Sequence, residues 1–386
     1  MTTWPFHRLS TNPVRWRWLV SVVVPLIAVS ATPAVAEDLK AQIAAVCTTQ
    51  KVPGIIAASI GPDGVIESAA AGVRKRGAKD AISTDDQFSL GSNSKSFTAT
   101  LAGVLVDDQA IEWSTTISQV WPDLPIHAGF QEVTLEQLLV HTGGLQGDLP
   151  PTSSEWSSFF AEKNTPEKER ARMRALLLTK PPEGTVGQHA YSNLGYVMAA
   201  AMLEERGKQP FEQLMQDRVF KPLGMTKTEF YSSNKLKSTK TPLLWGHTLK
   251  KGDPIKPGEL GSENPTVYAG CGTIRTTIVD WAKYLRWHVK ESAAPVLKSD
   301  ETLRHLHTGV NRGVPGQTYG FGWIQFDSPF GRTLQHAGNN TNQFSLVWVM
   351  PDKQRATVVI TNTGQEQAFP ACDAVTALLM KSPAFR

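Results

Sequence analysis

A hydroxyl and an amine stand three residues apart at Ser92 and Lys95. The apolar residues Phe97, Leu101 and Leu105 follow at helical spacing and predict a helix that opens at Ser92. Side chains at positions i and i+3 of a helix are neighbours, so the amine can reach the hydroxyl. A buried, partly desolvated lysine can lose its proton and act as the base for a nucleophilic serine. The backbone N–H of Ser92, at the helix start, would then face a developing oxyanion.

The same spacing recurs at Ser232 and Lys235. About one such match is expected by chance in a chain of this length. The second copy lies in the polar stretch 232–240, which is predicted to be a solvated loop with no apolar helix behind it. We therefore expect Ser92, and not Ser232, to be the nucleophile.

Further motifs follow Ser92 in order along the chain. They are residues 138–145 (LLVHTGGL), 182–184 (PEG), 191–196 (YSNLGY), 270–273 (GCGT), 280–282 (DWA) and 336–338 (HAG). Together with residues 90–99 (LGSNSKSFTA), this series resembles the class C β-lactamases and related peptidases and esterases of the penicillin-binding/β-lactamase family. The resemblance extends from residue 54 to about residue 363.

The resemblance implies roles for four more residues. Tyr191 has a phenol that would shuttle a proton between the nucleophile, the leaving group and the incoming water. Asn193 would hold Lys95 and a substrate carbonyl through its amide. Gly338 would allow close backbone approach by substrate, and the backbone N–H of Asn339 would be the second oxyanion donor.

His336 departs from the family pattern, because β-lactamases and many penicillin-binding proteins carry a lysine there. A fixed cation at that point binds the carboxylate of a β-lactam or of a peptide terminus. A histidine, with an ordinary pKa of about 6.5, would be mostly neutral at pH 7. We therefore expect weaker and pH-dependent anion binding at His336. Relatives with His-x-Gly act as D-amino-acid peptidases, carboxypeptidases or esterases, which keeps acyl transfer but disfavours efficient β-lactam hydrolysis.

The leading interpretation is an exported serine hydrolase that forms an acyl-enzyme on small amides or esters, with a D-Ala-D-Ala-type carboxypeptidase as the foremost candidate. A general esterase with the same residues, a weak β-lactamase and a non-catalytic penicillin-binding sensor are the alternatives. A sensor would not need serine, lysine, tyrosine and asparagine together. No Gly-x-Ser-x-Gly motif occurs, which disfavours a different hydrolase fold.

Strand patterns lie at both ends of the chain, and helix patterns lie between them. Residues 54–60 and 65–72 flank the turn 61–64 (GPDG), and they predict a hairpin. Later strands are predicted at 321–326, 332–336, 343–350 and 355–362. Helices are predicted at 37–49, 134–140, 168–179, 194–206, 211–220, 277–290 and 371–380.

This arrangement predicts an α/β (α+β) fold. An antiparallel sheet of N- and C-terminal strands would be covered by the terminal helices. That sheet domain would comprise residues 37–107 and 301–386, and a mostly helical domain would comprise residues 108–300. The nucleophile helix would lie where the two domains meet.

Residues 1–36 have the pattern of an export signal. Three arginines precede the apolar run 19–29, and the small residues 34–36 (AVA) indicate a cleavage site, with an uncleaved membrane anchor as the alternative. We expect a periplasmic or secreted protein with no stable membrane span. The net charge of +4 less these three arginines leaves +1, which offers no electrostatic footprint for nucleic acid. The partner is therefore expected to be a small molecule or a cell-wall peptide, and the oligomeric state stays open.

The three cysteines, Cys47, Cys271 and Cys372, are too few for a disulfide scaffold. In the family that the chain resembles, the first and last helices lie side by side, which makes Cys47 and Cys372 candidates for a disulfide, with two buried thiols as the alternative. No His-Glu-x-x-His motif occurs, and the pair His305 and His307 has no acidic neighbour. We therefore predict neither a metal nor a cofactor.

Overall fold

A computed structural model describes residues 39–150, 153–238, 243–248, 251–257, 259 and 262–385. The predicted export signal, residues 1–36, lies outside the described residues. Among the helices of the described part, none is both long enough and apolar enough to cross a membrane.

Strands from the two ends of the chain form one eight-stranded antiparallel sheet. The strands are β1 Gly54–Gly61, β2 Gly64–Gly72, β3 Phe88–Ser89, β4 Glu229–Phe230, β5 Gly246–His247, β6 Pro254–Ile255, β7 Ile274–Thr276, β8 Val310–Asn311, β9 Thr318–Gly320, β10 Trp323–Ser328, β11 Gly331–Asn339, β12 Phe344–Met350 and β13 Arg355–Thr361. The strand order in the eight-stranded sheet is β2-β1-β13-β12-β11-β10-β9-β8. Strand β1 pairs with β13, so strands from the two ends of the chain are neighbours inside the sheet. The predicted hairpin and the mixed α/β class with an antiparallel sheet are confirmed.

Most helices lie between β3 and β8. The helices are α1 Leu39–Gln50, α2 Ser94–Asp107, α3 Ile117–Val120, α4 Ala128–Gln131, α5 Leu135–Leu139, α6 Ser154–Phe159, α7 Pro166–Leu178, α8 Asn193–Gly207, α9 Phe211–Met215, α10 Ser233–Ser238, α11 Ala269–Gly272, α12 Ile278–Lys290, α13 Asp300–Leu306 and α14 Ala368–Lys381. Helix α9 continues into a π-helical turn, Gln216–Phe220. The helix and the turn together cover the predicted helix 211–220.

Two local predictions need correction. The nucleophile helix does not open at Ser92, because a 3₁₀ turn, Gly91–Asn93, precedes α2. Gly91 has a φ of 51°, which favours glycine, and a Cβ there would lie 2.7 Å from the backbone N of Asn339. The polar stretch predicted to be a loop instead forms α10, because Leu236 is buried and anchors it. Residues 239–240 of that stretch lie outside the described residues.

Helix α2 is buried along most of its length, as its all-round apolar pattern predicted. It packs against α8, α11 and α13. One hydrophobic cluster joins sheet residues such as Ile56 and Val358 to helical residues such as Leu139 and Met202. The nucleophile helix is therefore anchored in a core that sheet and helices share, and the division into two domains stays a prediction.

A second hydrophobic cluster lies where the terminal helices α1 and α14 cover the sheet. Cys47 and Cys372 are both buried in this cluster as free thiols. The Cys47 thiol donates to the Ala71 carbonyl oxygen at 3.6 Å instead of forming a disulfide. The predicted bridge is therefore absent, and both cysteines act as core residues.

Candidate active site

The Ser92 hydroxyl and the Lys95 amine meet as the sequence predicts. Lys95 Nζ lies 3.0 Å from Ser92 Oγ. The same amine donates to Asn193 Oδ1 at 2.5 Å and to the Cys271 carbonyl oxygen at 3.4 Å. The Lys95 side chain is fully buried. Three elements, α2, α8 and α11, therefore fix the position of one amine beside the hydroxyl.

Asn193 owes its position to the start of α8. Ser192 is the N-cap of that helix, and its hydroxyl accepts from the Gly195 N–H at 2.9 Å. The Asn193 N–H donates to the Gly147 carbonyl oxygen at 2.8 Å. A capped helix end and a hydrogen-bonded loop thus aim the Asn193 amide at Lys95.

Tyr191 lies beside the same pair, but its contact is through the ring. Lys95 Nζ is 4.8 Å from the centre of the Tyr191 ring, and the His141 ring is 4.4 Å away on another side. The Tyr191 side chain is 41 % exposed. Within the described part of the chain its hydroxyl makes no hydrogen bond, so it is open to a substrate.

The 3₁₀ turn that carries Ser92 packs against the end of β11. Gly91 approaches the backbone N of Asn339, which brings the two predicted oxyanion donors into neighbouring segments. Gly338 also has a structural reason to be glycine. A Cβ at Gly338 would collide with the Leu90 carbonyl oxygen. Its missing side chain lets the nucleophile turn approach the strand, and close approach by substrate stays a prediction.

His336 cannot supply the pH-dependent cation that the sequence suggested. Burial, followed by the positive charge of Lys95, lowers the pKa of His336 to about 3. Nδ1 lies 2.7 Å from the Ala337 carbonyl oxygen, to which it can only donate, and Nε2 then accepts from the Tyr319 hydroxyl at 3.0 Å. The ring is therefore neutral at physiological pH, and neither nitrogen is left to bind a carboxylate. The sequence did not reveal this state of His336, because residues far away along the chain bury its side chain.

Two more histidines line this side of the site. Burial lowers the pKa of His141, and burial also lowers that of His189. The positive charge of Arg312 adds to the lowering at both rings and at His336. The three rings thus form a neutral wall that faces a nearby guanidinium.

Sequence reasoning missed Asp148, Arg312 and Tyr319. Both oxygens of Asp148 accept from Asn193 Nδ2, at 3.0 and 3.1 Å. Arg312 follows β8 directly and donates to Gln317 across the hairpin at 3.3 Å. No motif marks these residues, although Asp148 stands three positions after the recognised segment 138–145.

One group of carboxylates has the spacing of a metal site within the described residues, and it lies outside the Ser92 site. It consists of Glu167, Glu204 and Glu212. Two of the three carboxylates, those of Glu204 and Glu212, form ion pairs with the buried Arg170. This arrangement fits a structural salt bridge better than a cation site.

Solved structures and curated proteins share this fold. The chain is 25 % identical over 332 residues to penicillin-binding protein 4 of Amycolatopsis lactamdurans, covering 83 % of this chain and 84 % of that protein. It superposes on the D-alanine carboxypeptidase AmpC of Burkholderia cenocepacia with a TM-score of 0.70 and 20 % identity, over 88 % of this chain and 98 % of the other. A D-stereospecific amidohydrolase from Streptomyces sp. gives a TM-score of 0.71 and 20 % identity, over 89 % and 98 %.

The sequence model of the family described as Beta-lactamase matches residues 35–381, almost the whole of the described chain. The order of the motifs around Ser92, the antiparallel sheet and these relatives all agree with that match. The chain therefore belongs to the beta-lactamase family of serine hydrolases.

Proposed function

We propose that this protein is an exported serine hydrolase that forms an acyl-enzyme at Ser92 on small amides or esters. The observation that carries the proposal is the 3.0 Å approach of Lys95 Nζ to Ser92 Oγ inside a buried site. Asn193 holds the amine from the other side at 2.5 Å. The export pattern in residues 1–36 supports a periplasmic or secreted location.

The residues suggest a balanced sequence of steps. The Lys95 amine acts as the base: it takes the proton of Ser92 Oγ, and Oγ bonds to the substrate carbonyl carbon. The backbone N–H groups of Ser92 and Asn339 stabilise the resulting oxyanion. The carbonyl then reforms, and the bond to the leaving amine or alcohol breaks. The Tyr191 hydroxyl relays the proton to that leaving group, and water reverses the steps to release the acid.

A carboxypeptidase acting on D-Ala-D-Ala-type peptides needs a cation for the terminal carboxylate. His336 is neutral, so Arg312 is the residue that we assign to this role. Arg312 forms no ion pair with a carboxylate anywhere in the described ranges, and its charge reaches His141, His189 and His336. The carboxypeptidase and the D-stereospecific amidohydrolase among the similar structures support this substrate class.

A general esterase is the second candidate. The neutral wall of His141, His189 and His336 favours uncharged substrates, since it presents no fixed cation of its own. Hydrolysis of β-lactams is expected to be weak, because the neutral His336 stands where β-lactamases carry a lysine.

A substrate panel separates these candidates. Purified wild-type protein and Ser92→Ala would be incubated with D-Ala-D-Ala peptides, nitrophenyl esters and a chromogenic cephalosporin. We expect Ser92-dependent hydrolysis of the peptides, and we expect Arg312→Ala to lower kcat/KM for them about tenfold more than for the esters. Ester hydrolysis without peptide hydrolysis would favour the esterase. Turnover that persists undiminished in Ser92→Ala would refute the proposal.

A further inference from the structure

The Asn193 amide is oriented by two charged neighbours. Its oxygen accepts from Lys95 Nζ at 2.5 Å, and its nitrogen donates to both oxygens of Asp148 at 3.0 and 3.1 Å. An amide has its acceptor on one side and its donors on the other. The nitrogen that the family resemblance assigned to a substrate carbonyl is thus already hydrogen-bonded to a carboxylate.

Asp148 itself becomes the polar group presented beside the catalytic pair. A carboxylate has about four lone-pair sites, and the contact with Asn193 leaves some of them open. Asp148 is exposed, and within the described residues no lysine or arginine forms an ion pair with it. Burial raises the pKa of the Asp148 carboxyl, whereas the Asn193 amide, the positive charge of Lys95 and the Tyr268 hydroxyl lower it. The exposed side of the carboxylate is open to a cation from solution.

The loop that carries Asp148 is fixed to the catalytic helix. The Gly147 carbonyl oxygen accepts from the N–H groups of Asn193 and Leu194, at 2.8 and 3.3 Å. The Ser192 hydroxyl donates to the Gln146 carbonyl oxygen at 2.6 Å. The carboxylate consequently has a defined position, three hydrogen bonds away from Ser92 Oγ through Asn193 and Lys95.

We propose that Asp148 binds an ammonium group next to the scissile carbonyl, so that the preferred acyl donors are amino-acid amides or esters with a free α-amino group. This assignment rests on the proposed acyl-hydrolase function at Ser92 and names a substrate class for it. It favours aminoacyl donors over the longer cell-wall peptides of the carboxypeptidase candidate, in which the D-Ala acyl donor is N-acylated. A charged hydrogen bond between ammonium and carboxylate is stronger than a neutral one, which gives selectivity against N-acylated analogues. The residue is specificity-determining, because it contacts the substrate and not the bond that breaks.

The test compares D-alanine 4-nitroanilide with its N-acetyl analogue at a pH of about 6.5, where an α-amino group is mostly protonated. We expect wild-type protein to prefer the free amine. Asp148→Asn should lower kcat/KM for the free amine at least about tenfold more than for the N-acetyl compound. Asp327→Asn, which removes an exposed carboxylate on β10, is the matched control and should leave the ratio unchanged. Equal losses on both substrates would overturn the assignment and leave Asp148 as a support for Asn193.

A binding readout covers the case in which neither anilide is hydrolysed. D-Alaninamide and N-acetyl-D-alaninamide would compete with a fluorophosphonate for labelling of Ser92. Stronger protection by the free amine, lost in Asp148→Asn, supports the assignment, and equal protection or none contradicts it. Failure of Ser92 to react with the fluorophosphonate at all would instead contradict the proposed function.

Discussion

Two tetrapeptides in this chain have the same spacing of serine and lysine but different environments. At Ser92 the lysine amine points back to the hydroxyl, with Lys95 Nζ 3.0 Å from Ser92 Oγ. At Ser232 the hydroxyl accepts from the backbone N–H of Lys235 at 3.2 Å, while the Lys235 amine donates to the Phe230 carbonyl oxygen at 3.0 Å. The second serine is therefore the N-cap of α10.

The difference lies in what surrounds each lysine. Lys95 is fully buried, and Asn193 and the Cys271 carbonyl hold its amine. Lys235 is exposed, at the edge of a cavity of about 250 Å³. The spacing of serine and lysine allows their side chains to meet. They meet at Ser92 because the core packed around α2 holds Lys95 beside the hydroxyl. A Ser-x-x-Lys motif thus indicates chemistry only where the fold buries its lysine.

The largest expected effect separates the two lysines. Lys95→Ala removes the proposed base and should lower kcat about a thousandfold or more, as for groups that act as one unit. Lys235→Ala should leave kcat within about twofold, because its amine contacts a backbone carbonyl outside the site. Steady-state kinetics on the best substrate of the panel measures both. A near-normal rate in Lys95→Ala would contradict the role of Lys95 as the base and the contrast with Lys235.

Each motif also has a neighbouring tyrosine. Tyr191 has a hydroxyl open to substrate, whereas the Tyr231 hydroxyl donates to Gln87 Oε1 at 2.9 Å, and burial raises the pKa of Tyr231 to about 12. Tyr191→Phe should therefore lower turnover about 100-fold or more, as for loss of a general acid–base group. Tyr231→Phe should leave turnover unchanged and lower the free energy of unfolding by about 1 kcal/mol. Equal turnover in the two variants would contradict the proton relay.

The third comparison concerns stability. Ser232→Ala removes the cap of α10 and should lower the free energy of unfolding by about 1 kcal/mol without changing turnover. Ser232→Thr keeps a capping hydroxyl and should recover most of that stability. Denaturant unfolding of the variants, with kinetics alongside, checks this. A loss of activity in Ser232→Ala at normal stability would mean that the second motif has a chemical role.

The smallest expected effect is the absence of a pH dependence in the preference for anionic over neutral substrates. Because the pKa of His336 is lowered to about 3, its cationic form is negligible between about pH 5.5 and 8. The ratio of kcat/KM for an anionic N-acetylated peptide to that for a neutral N-acetylated ester should stay constant within about twofold over this range. A rise in the ratio toward low pH, with a midpoint near 6.5, would restore the cationic role of His336 that the sequence suggested.

The sequence predicted the parts of the site that short motifs encode. Ser92, Lys95 and Asn193 meet because each stands near the start of a helix with a recognisable apolar pattern. The terminal strands were predictable from their β-type runs and from the turn 61–64.

Other parts depend on contacts between distant residues. Asp148 meets Asn193 across 45 positions, and the Tyr319 hydroxyl meets His336 across 17, with no pattern that marks either pair. The state of His336 follows from burial that only the assembled fold creates. The backbone bend at Gly91 likewise arises where β11 passes the nucleophile turn, so the helix starts at Ser94 and not at Ser92.

The most direct test of the account is the site of covalent labelling in the wild-type chain. Protein treated with a fluorophosphonate or a penicillin would be digested, and the modified peptide identified by mass spectrometry. Both motifs are present in the same molecule, so each serves as the control for the other. We predict an adduct on Ser92 that disappears in Ser92→Ala and persists in Ser232→Ala. An adduct on Ser232, or one that survives in Ser92→Ala, would contradict it.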